Sequence, residues 1–220
     1  LGSVIALGDS ITDGVGGPVG ADARWPNFLA RRLNSLPGST LAVVDEGLGG
    51  NRVLNAEACC GLSAVARFGR DVGEQPGARD VILFEGINDL GYGRSHSVLS
   101  APHPDVSAPQ IVEGYERIVT LAHTDGLKVF GATLTPFQGA RHWTPAGEAK
   151  REAVNHWIRT SGAFDGVIDF ATAVADPNDP ERLTPKYDSG DHLHPNAAGY
   201  RAMAAAVNLP GLLQAAGGRP

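Results

Sequence analysis

Residues 1–14 read LGSVIALGDSITDG. Ser3 to Gly8 form a short apolar run ended by glycine, the pattern of a fully buried strand. A carboxylate and a hydroxyl follow at once, Asp9 and Ser10. Ser10 can cap the helical turn that starts there, because the free N–H groups at a helix start donate to a side-chain oxygen. It can equally be a nucleophile, because the same N–H groups favour negative charge that develops beside them. The rest of the chain has to decide between the two.

Outward from this stretch, strand and helix patterns alternate. ARWPNFLARRLNSL (23–36) places Trp25, Phe28, Leu29, Leu33 and Leu36 broadly on one helical face. TLAVVDEG (40–47) reads as a second buried strand, GLSAVARFGRDVG (61–73) as a short helix and RDVILFEG (79–86) as a third strand. APQIVEGYERIVTLAHTDG (108–126) reads as a long helix with glycine past its end. LKVFGATL (127–134) is a fourth strand, and TPAGEAKREAVNHWIRTSG (144–162) a helix with Thr144 and Pro145 suited to the Ncap and N1 positions. GVIDF (166–170) is a fifth, short strand, and HPNAAGYRAMAAAVNL (194–209) closes the pattern as a helix. Apolar strands alternating with helices predict an α/β fold, a parallel sheet of about five strands with helices on both faces. Sites in such sheets form beyond the carboxyl ends of the strands. Ser10, Gly50, Asn88 and the loop 136–144 each follow a strand, so they are expected on one edge. Three polar loops, 91–107, 136–144 and 171–194, are long enough to carry function.

The bulk composition narrows the class. At 220 residues, 42% hydrophobic and 19% charged, the chain can bury one good core, and a single domain over 1–220 is expected. A net charge of −6 argues against a nucleic-acid surface or an anionic membrane surface. No run approaches the roughly 18–20 apolar residues of a membrane span. The first residue is not Met and a strand begins almost at once, so a mature form or a piece of a longer chain is expected. The only cysteines are the neighbours Cys59 and Cys60, which read as two packed thiols before a vicinal disulfide.

Among the seven histidines, DHLHPN (191–196) stands apart. Asp191 lies three residues before His194, close enough to accept from the ring Nδ1–H, fix the tautomer and leave Nε2 as a base. Asp191, His192 and His194 could instead ligate a metal, but no other His/Cys cluster supplies the missing ligands. Acyl transfer also needs donors aimed at an oxyanion. GLGGNR (47–52) offers a bare backbone N–H at Gly50 and EGIND (85–89) offers the Asn88 amide. Either could be a turn or loop-capping residue alone; their placement, one per strand end, favours a shared site. GVGGPVG (14–20) lacks the lysine and hydroxyl of a phosphate loop, and no G-x-S-x-G elbow is present.

The order Gly8-Asp9-Ser10, Gly50, Gly86-Ile87-Asn88-Asp89, Asp191-His192-Leu193-His194 resembles the SGNH hydrolase superfamily, the GDSL esterases and lipases. The four blocks span residues 8 to 194, and Ile11 stands where the GDSL name has leucine. The resemblance implies a flavodoxin-like three-layer α/β/α fold. It also implies Ser10 as nucleophile, His194 as base and Asp191 as its orienter, with an oxyanion hole from the Ser10 N–H, the Gly50 N–H and the Asn88 amide. Gly49 is the competitor for Gly50. Asp9 and Asp89 are expected to brace the loops. The reading is a serine ester hydrolase acting through an acyl-enzyme on short-chain esters such as acetylated carbohydrates, with no metal or organic cofactor required. A lipase or lysophospholipase, or an acyltransferase with the same triad, is the alternative. Tyr92, His96, His103, Phe137, Arg141, His142 and Trp143 lie in the long loops, and Arg141, His142 and Trp143 are the substrate-contact candidates. The expected partner is a small-molecule or carbohydrate ester, and the resemblance inclines towards a secreted protein.

Overall fold

The computed structural model describes residues 2–38, 41–91 and 105–214. Five strands form one all-parallel sheet: β1 (Gly2–Gly8), β2 (Leu41–Gly47), β3 (Ala78–Phe84), β4 (Lys128–Ala132) and β5 (Gly166–Ile168), in the order β2-β1-β3-β4-β5. The order reverses at β1, which has β2 on one side and β3 on the other. In open parallel sheets such a switch point, at the carboxyl ends of the strands, is where sites form.

Helices cover both faces. α1 (Ser10–Asp13) is a single turn; α2 (Trp25–Asn34), α6 (Phe170–Val174) and α7 (Ala197–Ala206) pack together, as do α3 (Ala64–Phe68), α4 (Ala108–Thr124) and α5 (Pro145–Thr160). Trp25 packs tilted and Phe84 edge-on against Phe170, with ring centroids 5.2 and 5.1 Å apart. A second cluster joins Tyr115, Trp157 and Phe164. These large rings fill the space between helix and sheet, where apolar burial supplies most of the driving force. Thr144 caps α5 by accepting from the Gly147 N–H, with Pro145 at the first turn, as the sequence predicts. Ser107 and Gln110 cap α4 reciprocally.

Two expectations change. β2 is not fully buried: Leu41 is covered but Ala42 is exposed and the remaining residues are half-buried, because an edge strand has a neighbour on one side only. The stretch 171–194 is not all loop. It holds the end of α6 and an antiparallel hairpin of β6 (Ala175–Asp176) and β7 (Asp179–Leu183), too short for an apolar alternation to betray it. A further helix, α8 (Leu209–Gln214), follows α7. Among the described residues no helix is long and apolar enough to cross a membrane.

Candidate active site

β1 ends at Gly8, and the chain must turn immediately into α1. A Cβ on Gly8 would lie 2.5 Å from the Phe84 carbonyl oxygen and 2.2 Å from Thr12 Oγ1, so only glycine fits this close approach. Asp9 is the N-cap, its carboxylate accepting from the Ile11 N–H at 2.9 Å. Asp9 therefore performs the capping, and Ser10, the first helical residue, keeps its hydroxyl for another partner. That partner is His194: Ser10 Oγ and His194 Nε2 are 2.9 Å apart.

His194 Nδ1 is 2.6 Å from Asp191 Oδ2. Asp191 Oδ1 accepts from the backbone N–H groups of Leu193 and His194, at 2.9 and 2.8 Å. Partial burial opposes ionisation of Asp191, but the bonds from the His194 ring and these two N–H groups outweigh it and hold the carboxyl down at about 2. The loop is fixed at its other end by Asn196, which caps α7 through Oδ1 and donates Nδ2 to the carbonyls of Lys186 and Asp188. His192 belongs to a separate pair, its Nδ1 2.6 Å from Asp188 Oδ2. The histidine–carboxylate pairs of this loop are thus His194 with Asp191 and His192 with Asp188, which does not gather the ligand trio considered from sequence.

Gly50 and Asn88 follow β2 and β3. Gly50 has φ +76°, within a turn closed by the Asn51 N–H donating to the Leu48 carbonyl at 3.0 Å. Asn88 is 2% exposed and donates from Nδ2 to the Asn51 carbonyl at 2.9 Å. Of the loop candidates, His142 is half-buried beside the His194–Asp191 pair. Burial, with the neighbouring His194 charge, pushes it down to about 4. Trp143 is half-buried. Arg141 is exposed. Phe137 is fully buried and stacks on His142, so it is a core anchor of the loop. Tyr92, His96 and His103 lie outside the described residues.

The structure adds residues that the sequence reading did not single out. Arg67, 1% exposed, donates to the Asn51 side chain, to Asp71 and to the carbonyls of Glu46 and Gly8. It thereby ties the ends of β1 and β2 to the turn behind Gly50. Its pattern in VARFGRD is that of any surface arginine, and only the fold turns it inward. Beneath the site lie three buried carboxyls. Asp89 accepts from the Val53 N–H at 2.9 Å, so Asp9 and Asp89 do brace the loops. Glu85 sits 3.7 Å from Arg67. The two cysteines are joined as a vicinal disulfide rather than left as packed thiols.

Burial pushes Asp9 and Asp89 up to about 7, and Glu85 well above the usual carboxylate range. Between an unfolded value near 3.8 and a folded value near 7, the native state binds more protons than the unfolded chain. Stability contributed by Asp89 is therefore present at low pH and lost as pH rises from about 4 to about 7. Asp89→Asn keeps an acceptor for the Val53 N–H but does not titrate. The variant is expected to lose less of its melting temperature than the parent between pH 4.5 and 8. Identical declines would remove Asp89 as a source of the pH dependence.

A parallel α/β sheet with a Ser–His–Asp line at its carboxyl edge is the architecture of an ester hydrolase. The sequence model of the GDSL-like Lipase/Acylhydrolase family matches residues 6–202, and the chain belongs to that family. Solved structures share the fold at low identity. The native aryl esterase of M. smegmatis superposes with a TM-score of 0.71 at 19% identity, over 97% of this chain and 99% of that one. A carbohydrate acetylesterase family member from Sinorhizobium meliloti gives 0.70 at 19% identity, over 99% and 100%. A GDSL-like lipase from Bacteroides thetaiotaomicron VPI-5482 gives 0.68 at 17% identity, over 96% and 88%. No curated protein sequence matches the chain.

Proposed function

We propose that this ester hydrolase works through Ser10 as nucleophile, His194 as general base and acid, and Asp191 as the group that orients His194. The observation that supports this most is the continuous line from Ser10 Oγ through His194 to Asp191, at 2.9 and 2.6 Å. His194 Nε2 takes the hydroxyl proton as Oγ attacks the ester carbonyl. The tetrahedral oxyanion is held by the N–H groups of Ser10 and Gly50 and by the Asn88 amide, donors that lower the barrier because they are already oriented. His194 then protonates the leaving alcohol and the acyl-enzyme forms. Water, deprotonated by the same nitrogen, attacks it and releases the acid and Ser10. Asn88 suits its role because one amide hydrogen is spent on the Asn51 carbonyl, which fixes the plane of the amide and the direction of the other. The low-lying His142 is neutral at pH 7, so it adds no second positive charge beside His194 when the latter takes up a proton.

The substrates we propose are short acyl esters, with acetylated carbohydrates as the natural class. The described loop around the site carries an exposed arginine and a half-buried histidine and tryptophan, a polar rim with one aromatic face. Exposed large apolar residues among those described are Val15, Val19, Leu62, Leu121 and Val167. Val15 and Val19 share the segment after α1, while Leu62, Leu121 and Val167 stand on three others, so no single described element gathers them into an apolar lid of the kind that meets aggregated lipid. The test is a series of p-nitrophenyl esters from acetate to dodecanoate. kcat/KM is expected to peak at acetate to butyrate and fall beyond. A long apolar groove would instead gain up to about 0.8 kcal/mol per added methylene. A rise continuing past octanoate would replace the short-acyl reading with a lipase.

A further inference from the structure

The proposed oxyanion donors beyond Ser10 are not held by their own strands alone. Asn88 Nδ2 donates to the Asn51 carbonyl, and the Asn51 side chain is pinned in turn. Its Nδ2 donates to the carbonyls of Cys60 and Leu62, at 2.8 and 2.7 Å, and its Oδ1 accepts from Arg67 Nε at 2.9 Å. Gly50 is packed by the same cysteine: a Cβ there would stand 2.6 Å from Cys60 Sγ. Cys60 thus faces Gly50 with its sulfur and Asn51 with its carbonyl. Its own position is set by the bond to Cys59 and by a tight loop, in which the Glu57 N–H donates to the Gly61 carbonyl and the N–H groups of Cys60 and Gly61 donate to the Glu57 carbonyl.

We propose that the Cys59–Cys60 disulfide is a positioning element of the oxyanion hole, holding Gly50 directly and Asn88 through Asn51, so that its reduction slows turnover. The inference rests on the reading of Ser10, Gly50 and Asn88 given above. A bond between neighbouring cysteines closes a small ring through the peptide that joins them, which removes rotation about both side chains and fixes that peptide. A dithiol such as dithiothreitol breaks the S–S bond with two electrons and two protons, leaving two thiols and its own cyclic disulfide. Each cysteine then regains rotamer freedom. Cys60 Sγ can leave Gly50, and the Cys60 carbonyl can drift from Asn51 Nδ2. Neither cysteine need touch substrate for this to matter, because a misplacement of about 1 Å can cost on the order of 10²-fold in rate.

The experiment compares the oxidised protein with protein reduced by dithiothreitol and freed of excess reductant, using p-nitrophenyl acetate. Thiol titration reports the redox state, burst amplitude counts competent sites, and burst rate reads the oxyanion hole. The oxidised protein should show no free thiol and a full burst. The reduced protein should show both thiols, the same amplitude, a burst rate and kcat roughly tenfold lower and a KM within about twofold, with recovery on reoxidation. The Cys59→Ser/Cys60→Ser variant should match the reduced protein and ignore dithiothreitol. Free thiols in the air-oxidised protein, or an unchanged burst rate with both thiols titrated, would overturn the inference. So would an amplitude that falls with the rate untouched, since that marks unfolding and not positioning. A serine-directed fluorophosphonate that labels the oxidised protein at a residue other than Ser10 would remove the Ser10 assignment itself, and this inference with it.

Discussion

Ser10→Ala is expected to lower kcat for ester hydrolysis by about 10⁶, the scale seen when a serine hydrolase loses its nucleophile. The fold should survive. Among the described residues Ser10 Oγ has one partner, His194, whereas the capping of α1 rests on Asp9 and the Ile11 N–H. Removing the hydroxyl also leaves no large cavity, so the expected loss of stability is under about 1 kcal/mol. Steady-state kinetics beside a thermal melt checks both halves. Activity lost together with a collapsed melting temperature would return Ser10 to a structural role.

His194→Ala is expected to cost about as much as Ser10→Ala, because residues that act as one unit fail together, and the double variant should be no slower than either. Asp191→Asn should cost less, about 10⁴. An asparagine can still accept from the N–H groups of Leu193 or His194 through its oxygen, so the loop persists. Its amide would face His194 Nδ1 with a donor, favour the wrong tautomer and leave Nε2 carrying the proton. Half of the Asp191 side chain is solvent-accessible, which softens the loss further. The measurement is kcat/KM for the three variants and the double. Multiplicative losses in the double variant would show that Ser10 and His194 do not act as one unit.

Much of this was legible in the sequence, for identifiable reasons. β1 and β3 are continuous apolar runs because they are central strands covered on both faces, and such runs cannot be mistaken for surface elements. The turn residues after them are polar where a buried strand meets the crevice, which is why Ser10 and Asn88 stood out, and Asp191 and His194 are near neighbours in the chain. What escaped depends on contacts between distant segments. β2 has the composition of a central strand and only the sheet order makes it an edge. Arg67 and Asn51 acquire their roles from partners on β1, β2 and the Cys60 loop, which no local pattern encodes. The cysteine pair is adjacent in sequence, yet its relation to Gly50 exists only once the loop has folded back.

The central claim is that Ser10 forms the acyl-enzyme. Its most direct test is inactivation by a serine-directed fluorophosphonate followed by peptide mass spectrometry. One adduct per chain is expected, on the peptide containing Gly8-Asp9-Ser10, forming in step with loss of activity and absent from His194→Ala on the same timescale. An adduct on another residue, or a fully labelled Ser10 in protein that still hydrolyses esters, would contradict the account.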